Sequence, residues 1–261
     1  MTKALILAAG QGTRLRPLTN DKPKCLVSLA GVSLLERQVK TLESEGVYEI
    51  HIATGYRADQ IKKMGFSTSF NKNFDKTNMV ESLFSAVDFI KNCQEDLIIG
   101  YGDIVYNNEN LRMLLESDDE IALMIDSNWR ELWSLRLENP LDDAETLIKN
   151  KDGLVIEIGK KPESYEQIQG QYTGLIKIRK DKIANFIQFY KDLDRQARYD
   201  GNDFYNMYMT SFLQMLADSG WRLKCVDVKS GWLEIDSVDD LKQYEGLESK
   251  GKLSQFYRLE Y

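Results

Sequence analysis

Short apolar runs alternate with stretches of helical period through the first half of the chain. Leu5 to Leu7 is an uninterrupted apolar run, as expected of a strand buried on both faces, and it leads into Ala8-Ala9-Gly10. Leu35, Val39 and Leu42 fall on one helical stripe. Ser33 stands as its cap with Glu36 three residues on, and Gly46 closes a helix that runs to about Glu45. Glu49 to Thr54 predicts the next strand and ends in Thr54-Gly55-Tyr56. Ala58 to Met64 predicts a short helix, and a strand near Phe66 to Phe70 leads into the polar stretch Asn71 to Asn78. Leu83, Val87 and Ile90 mark a helix from about Val80 to Lys91, and Leu97 to Asp103 reads as a buried strand that ends on an acid. This alternation predicts an α/β fold with a doubly wound, mostly parallel, Rossmann-like sheet. Ligands of such sheets lie at the carboxyl ends of the strands, where the Gly10 loop, Gly55 and Asp103 all fall.

The pattern changes after the strand predicted over Ile121 to Asp126. Trp133 to Leu137, Leu154 to Ile158 and Thr173 to Arg179 read as short β segments, with Asp152-Gly153 as a turn. They predict a small mixed β extension over the open site. Helices follow at about Asp181 to Arg195, about Phe204 to Ser219 and Ser237 to Leu247, with a strand at Trp221 to Val228. Ser237 caps the last helix, and Asp239-Asp240 suit its first turn. No repeat or linker divides the chain. It reads as a single domain over 1–261, with its core at about 1–126 and 200–250 and an acceptor-side β insertion at about 127–180.

The chemistry begins in the loop after the first strand. Its glycines, Gly10 and Gly12, allow peptide N–H groups to converge, and Arg14, Arg16 and Lys24 stand beside them, as a polyphosphate site requires. The loop is no Walker A loop, and Gly-x-Gly-x-x-Gly is incomplete. The full string Leu7-Ala8-Ala9-Gly10-Gln11-Gly12-Thr13-Arg14-Leu15-Arg16-Pro17, followed by Pro23-Lys24, closely resembles the signature of the nucleoside-triphosphate transferases. The resemblance implies a nucleotidyltransferase that couples a nucleoside triphosphate to a small phosphorylated acceptor. It points to Arg14 and Lys24 as the catalytic cations, and to Ala8, Ala9, Gly10, Gly12, Thr13 and Gly55 as nucleotide-binding residues.

Such transfer needs carboxylates for Mg²⁺ as well as cations for the phosphates. Asp103, at the end of a central strand, is one candidate ligand; it could also be an ordinary acid capping the next turn. In Gly231-Trp232-Leu233-Glu234-Ile235-Asp236-Ser237, Glu234 and Asp236 point to one side of a strand. That stretch resembles the family's late Trp-x-x-Ile/Val-Asp segment, which makes Asp236 the second metal acid. Asp236 could alternatively serve only as an acid at the start of the last helix.

The acceptor side departs from the sugar-nucleotide members of the family. Gly159-Lys160-Lys161-Pro162 and Tyr172-Thr173-Gly174 stand for a lysine that reaches the acceptor (Lys160 or Lys161) and a glycine strand beneath it (Gly174). Trp129, Arg130, Glu131, Trp133, Asp203, Tyr205 and Glu234 together resemble the acceptor box of the bacterial phosphocholine cytidylyltransferases, where aromatic rings and acids surround an ammonium. Packing in a core or a lid is the other use of such aromatics. Arg130 and Arg136 would suit an acceptor that also carries a carboxylate. The whole chain is similar to a small group of cytidylyltransferases of Campylobacter-type capsule phosphoramidate synthesis, whose acceptor is phosphorylated glutamine. Thr77, Asn78 and Ser82 resemble a nucleotide-binding segment of the phosphocholine group, which implies CTP. A sugar-1-phosphate nucleotidyltransferase and a nucleotide-binding regulatory subunit are the competing readings.

Composition narrows the partners. The chain has 261 residues, 43% of them hydrophobic, which suffices for one large α/β domain. A net charge of −7 argues against a nucleic-acid partner. No apolar stretch is long enough to span a membrane, and no secretory leader is evident, so a cytoplasmic protein is expected. Cys25, Cys93 and Cys225 fit neither a disulfide framework nor a zinc cluster. His51, the single histidine, falls in a predicted strand and is expected to pack there.

Overall fold

The computed structural model of the chain describes residues 2–259. The first half holds β1 (Lys3–Ala8), β2 (Ser28–Leu29), β3 (Val32–Ser33), α1 (Leu34–Ser44), β4 (Glu49–Thr54), α2 (Ala58–Lys63), β5 (Ser67–Phe70), α3 (Met79–Phe84), α4 (Val87–Lys91), β6 (Leu97–Tyr101), β7 (Ile104–Tyr106), α5 (Asn108–Leu115) and β8 (Ile121–Asp126). The second half holds α6 (Trp129–Arg136), β9 (Leu147–Lys149), β10 (Val155–Ile158), β11 (Gln171–Ile178), α7 (Ile183–Asp192), β12 (Arg198–Tyr199), β13 (Asn202–Asp203), α8 (Met209–Asp218), β14 (Leu223–Val228), β15 (Trp232–Glu234) and α9 (Val238–Glu248).

Seven strands form the central sheet in the order β14-β8-β11-β6-β1-β4-β5. All neighbours are parallel except β11, which runs antiparallel to both β6 and β8. Both faces are covered. Ala4, Ile6 and Ile98 enter one apolar core, while Leu5, Leu7, Leu97 and Ile99 enter the other. That two-sided burial is why these strands read as unbroken apolar runs. Ser33 and Glu36 form the expected capping box, with Ser33 Oγ accepting from Glu36 N at 3.2 Å and Glu36 Oε2 accepting from Ser33 N at 3.1 Å. Ser237 caps α9 in the same manner through Asp240 N at 3.1 Å.

Four expectations are corrected. The helix over Val80 to Lys91 is two helices, because Ser85 Oγ turns back to Ser82 O at 2.7 Å and the backbone breaks at Ala86. Trp133 to Leu137 is not a strand but the end of α6; Trp129, Leu132 and Trp133 share a buried face at helical spacing, and that longer period overrides the short alternation. Thr173 to Arg179 does not lie in an extension. It is most of β11, at the centre of the main sheet, and only β9 and β10 form a separate ribbon in that region. Helix α8 starts at Met209 rather than Phe204, since Asp203 caps a separate turn over Phe204–Asn206.

His51 packs as expected, stacked on Phe89 at 4.5 Å with Nδ1 2.8 Å from Ser67 Oγ. The three cysteines are buried free thiols. No helix among the described residues is long and apolar enough to cross a membrane.

Candidate active site

The carboxyl ends of β1 and β6 and the amino end of antiparallel β11 open at the same edge of the sheet. Two cavities meet there. The smaller, about 80 Å³, is walled by Ala8, Ala9, Gly10, Ser82, Lys24 and Asp103. The larger, about 500 Å³, reaches from Arg14 and Asp236 past Tyr101 and Gly174 to Glu145.

The loop between them is fixed by sterics. Gly12 has φ +64°, and a Cβ there would lie 2.9 Å from Lys24 Cβ, so glycine alone lets the loop close over Lys24. Thr19 Oγ1 ties the loop shut by donating to Gly12 O at 2.7 Å. Gly174 is constrained likewise, at φ +84° with Tyr101 Cδ2 2.6 Å from where a Cβ would sit.

At the junction lies a cluster of charges. The β7–β15 ribbon pairs Glu234 with Ile104, and Ile235 N donates to Asp103 O at 3.0 Å, which brings three acids together. One carboxylate oxygen from each of Asp103, Glu234 and Asp236 lies within 4.8 Å of the others. Lys24 Nζ bridges two of them, 2.7 Å from Asp103 Oδ2 and bonded also to Asp236 Oδ1. Arg14 takes the other oxygen of Asp236 at 2.5 Å. Burial pulls the Lys24 pKa down, but Asp103, Asp236 and Glu234 more than reverse this and hold its proton. Burial also drives Glu234 up to about 7; Arg136 opposes the rise, while Asp236 and Asp103 add to it. The Arg136 guanidinium, 6% exposed, reaches Glu234 at 3.1 Å and Asp240 at 3.0 Å.

The donor set suits a hard cation: one oxygen from each of three carboxylates within 4.8 Å of the others, a buried Asp103 Oδ1 with no hydrogen-bond partner, and an ammonium already standing between two of the acids.

The expected nucleotide residues divide. Ala8, Ala9, Gly10 and Ser82 wall the smaller cavity, and Gly55 packs tightly against Phe74 and Ala9 O. Thr13 is exposed. Thr77 and Ser82 share the Asn71 amide, at 3.0 and 3.1 Å, while Asn78 caps α3 and lines the larger cavity.

The expected acceptor box does not form as a unit. Trp133, Gly174 and Glu234 line the larger cavity. Trp129 is buried off its wall, stacked on Tyr165 at 6.1 Å. Arg130 lies over that same ring at 3.9 Å. Glu131 is exposed, as are Lys160, which pairs with Glu157 at 2.9 Å, and Lys161. Asp203 caps a surface turn, and Tyr205 is 48% exposed. The cause is helical period: Trp129 and Trp133 stand one turn apart, so their rings pack against each other and α6 turns Arg130 and Glu131 outward. Tyr101, Glu145, Tyr172 and Trp232 take up the wall instead. Tyr172 could have been found from Gly174, two residues on along one strand. Glu145 sits in a loop and carries no sequence signal.

Fold and site together define a nucleotide-binding α/β protein whose loop, cations and clustered acids meet at the switch point of the sheet. Residues 4–151 match the family of the MobA-like NTP transferase domain, and the chain belongs to that family of nucleotidyltransferases. It is 43% identical over 247 residues to the CTP:phosphoglutamine cytidylyltransferase of Campylobacter jejuni, covering 92% of this chain and 97% of the relative. Two solved structures share the fold: the CTP:phosphocholine cytidylyltransferase of Streptococcus pneumoniae, with TM-score 0.70, 22% identity, and 95% and 99% of the two chains covered, and the inositol-1-phosphate CTP transferase of T. maritima, with TM-score 0.71, 21% identity and 98% of each chain covered.

Arg136 generates a stability prediction. Arg136→Met leaves Glu234 and Asp240 without their guanidinium, and urea unfolding should show a loss of about 3–5 kcal/mol. A loss below about 1 kcal/mol would class the bridges with solvent-screened surface pairs.

Proposed function

We propose that this protein transfers the cytidylyl group of CTP to a small phosphorylated amine or amino acid and releases pyrophosphate. Phosphorylated glutamine is the first choice of acceptor and phosphocholine the second, and the product would serve capsule or surface-polysaccharide modification. The single observation that carries the reading is near end-to-end similarity to a cytidylyltransferase named for phosphoglutamine. The charge of the larger cavity supports it: Asp143, Glu145, Glu234 and Asp236 line it, against Arg14 as its one cation among the described residues.

The acceptor phosphate is itself the nucleophile. A phosphate oxygen attacks the α-phosphorus, the bond to the β-phosphate oxygen breaks, and pyrophosphate leaves. Little covalent help is required, and alignment with charge neutralisation supplies most of the rate. Asp103, Asp236 and Glu234 would hold Mg²⁺, whose part in this chemistry is to neutralise the phosphates. The backbone at Ala8, Ala9 and Gly10 borders the nucleotide cleft. Lys24 and Arg14 have two sets of partners. Without ligand they neutralise Asp103 and Asp236; with a triphosphate present they exchange these carboxylates for phosphate oxygens. Arg136 keeps Glu234 turned toward the cluster.

Pyrophosphate release with Mg²⁺ should be fast with CTP and an amine-bearing phosphate, and slow with UTP, dTTP or glucose 1-phosphate; turnover of the sugar phosphate would favour a sugar nucleotidyltransferase. Asp103→Asn and Asp236→Asn should each lower kcat by about 100-fold or more with folding intact, and near-normal turnover in either would refute the paired-acid site.

Lys24 generates a separate prediction. Its ammonium competes with a divalent ion for the same oxygens, so Lys24→Met should bind Mn²⁺ in the absence of nucleotide about 10-fold more tightly than the unaltered protein, read by electron paramagnetic resonance. Equal Mn²⁺ affinity would show that Lys24 does not guard the acids.

A further inference from the structure

The far end of the larger cavity holds negative charge that nothing in the protein balances. Near the sheet, each acid has a cation: Lys24 and Arg14 serve Asp103 and Asp236, and Arg136 serves Glu234. Glu145 is different. It lines the cavity, and its side chain forms no ion pair with any described residue. Its neighbours are acids. Burial first, and then Asp143 and Asp200, raise its pKa to about 7. Two lysines near it are taken up elsewhere: Lys149, four residues on, pairs with Asp227 at 2.7 Å, and Lys160, whose backbone bonds to Thr146, pairs with Glu157 at 2.9 Å.

The protein nevertheless builds this position firmly. Gln171, itself 4% exposed, accepts from Glu145 N at 3.0 Å and donates to Glu145 O at 2.6 Å. The next residue is clamped as well: Thr146 N donates to Lys160 O at 2.8 Å, Gly159 N donates to Thr146 O at 3.0 Å, and Thr146 Oγ1 accepts from Lys160 N at 3.2 Å. A surface acid needs no such frame. A carboxylate held by rigid backbone, partly desolvated, crowded by like charge and facing a cavity is arranged for a cation that arrives from outside.

Register fixes where that cation would sit. Strand β11 continues past the end of β6 from the Leu175–Gly100 pair, so Gln171 and the Glu145 it holds stand beyond Tyr101. Strand β11 shifts register against β8 between Tyr172 and Ile176, at the positive-φ Gly174, so the three residues from Gly174 to Gln171 span less than the about 10 Å of a regular strand. A molecule with its phosphate at the Lys24–Asp103–Asp236 cluster and several bonds of chain would bring its other end to Glu145. Tyr101 and Tyr172 flank the path, their rings 5.9 Å apart and edge to face. Such faces also favour a cation.

We propose that Glu145 is the specificity-determining residue that receives the ammonium end of the phosphorylated acceptor. The inference rests on the reading of the larger cavity as the acceptor site, and it moves the ammonium seat from the Trp129–Glu131 segment, which lies outside the cavity, to the Gln171-held loop. Asp143 adds charge to the same wall, and the aromatic rings supply the rest of the surface.

The test uses the full chain and a matched pair of acceptors: phosphocholine and its uncharged isostere 3,3-dimethylbutyl phosphate, with phosphorylated glutamine and phosphoethanolamine beside them. Glu145→Gln should raise the KM of the ammonium-bearing acceptors by about 10- to 100-fold, through loss of the charge attraction between a carboxylate and an ammonium in a partly desolvated site. The KM for CTP and the kinetics with the uncharged isostere should stay unchanged. Glu145→Asp keeps the charge and should retain most of the preference for the ammonium, which separates recognition from damage to the loop. Equal shifts for both members of the pair, or no shift at all in an active enzyme, would overturn the role of Glu145 and leave the proposed transferase standing. Release of pyrophosphate by the unaltered protein with glucose 1-phosphate, and with none of the amines, would overturn both together.

Discussion

The ion cluster of Lys24, Asp103, Asp236 and Arg14 is the constraint around which the rest of the site is arranged. It joins three parts of the chain that lie far apart in sequence: the loop after β1, the turn after β6 and the segment before α9. Three clustered carboxylates at the edge of an apolar sheet would repel one another strongly without cations. Gly12 exists to let Lys24 in, since any side chain there meets it. The β7–β15 ribbon exists to bring Asp236 back to Asp103. The same attraction that closes the site without ligand supplies the groups that ligand binding would redistribute, so structure and chemistry draw on one set of charges.

Arg136 extends that logic one layer outward. It is nearly buried, and it bonds Glu234 on one side and Asp240 at the start of α9 on the other. Asp240 meanwhile accepts from Ser237 N at 2.9 Å and Asp236 N at 3.1 Å. The chain around Asp236 is therefore held by a helix cap and an ion pair at once, and Trp133, with its guanidinium contact at 5.3 Å, closes the layer. Arg136 thus has the place of a support for the acids and is spent on them. It is no longer available to an acceptor carboxylate, and Arg130 over Tyr165 is equally removed.

How much of this was legible in the sequence follows from how local each feature is. The strand–loop string over residues 7–24 carries its own geometry: the apolar run, the glycines and the cations are contiguous, and the sheet order follows from apolar runs alternating with amphipathic helices. Asp103 and Asp236 could be singled out because each ends an apolar stretch. The acceptor wall is a different matter. Tyr101, Glu145, Tyr172 and Trp232 come from four separate stretches of the chain; Tyr172 and Trp232 each have a candidate residue two positions on, Gly174 and Glu234, whereas Glu145 has no neighbour in sequence that points to it. The Trp129–Trp133 pair gave a visible signal with the wrong meaning, because aromatic residues one helical turn apart pack a core as readily as they line a box. Strand β11 escapes a local reading for a related reason: the β pattern over Thr173 to Arg179 states that a strand exists, and only the long-range pairing with β6 and β8 states where it goes.

The two ends of the larger cavity then differ in a way that bears on function. At the sheet end, every acid is matched by a cation of the protein, so a ligand there must exchange partners, and a phosphate can do so because it offers negative charge to Lys24 and Arg14 as it displaces the carboxylates. At the far end, Glu145 and Asp143 wait unmatched, and an anion arriving there would meet repulsion without any release. On the proposed reading, the polarity of the cavity would set the polarity of what enters it: phosphate inward, positive charge outward. A sugar phosphate satisfies the first half and leaves the second unpaired, at the cost of keeping the partly desolvated Glu145 carboxylate beside a neutral ring. An acceptor whose positive group lies several bonds from its phosphate satisfies both. In the proposed acceptor site, the distance from the Lys24–Asp103–Asp236 cluster to the Glu145 that β11 holds through Gln171 would be the ruler by which acceptors of different length are told apart.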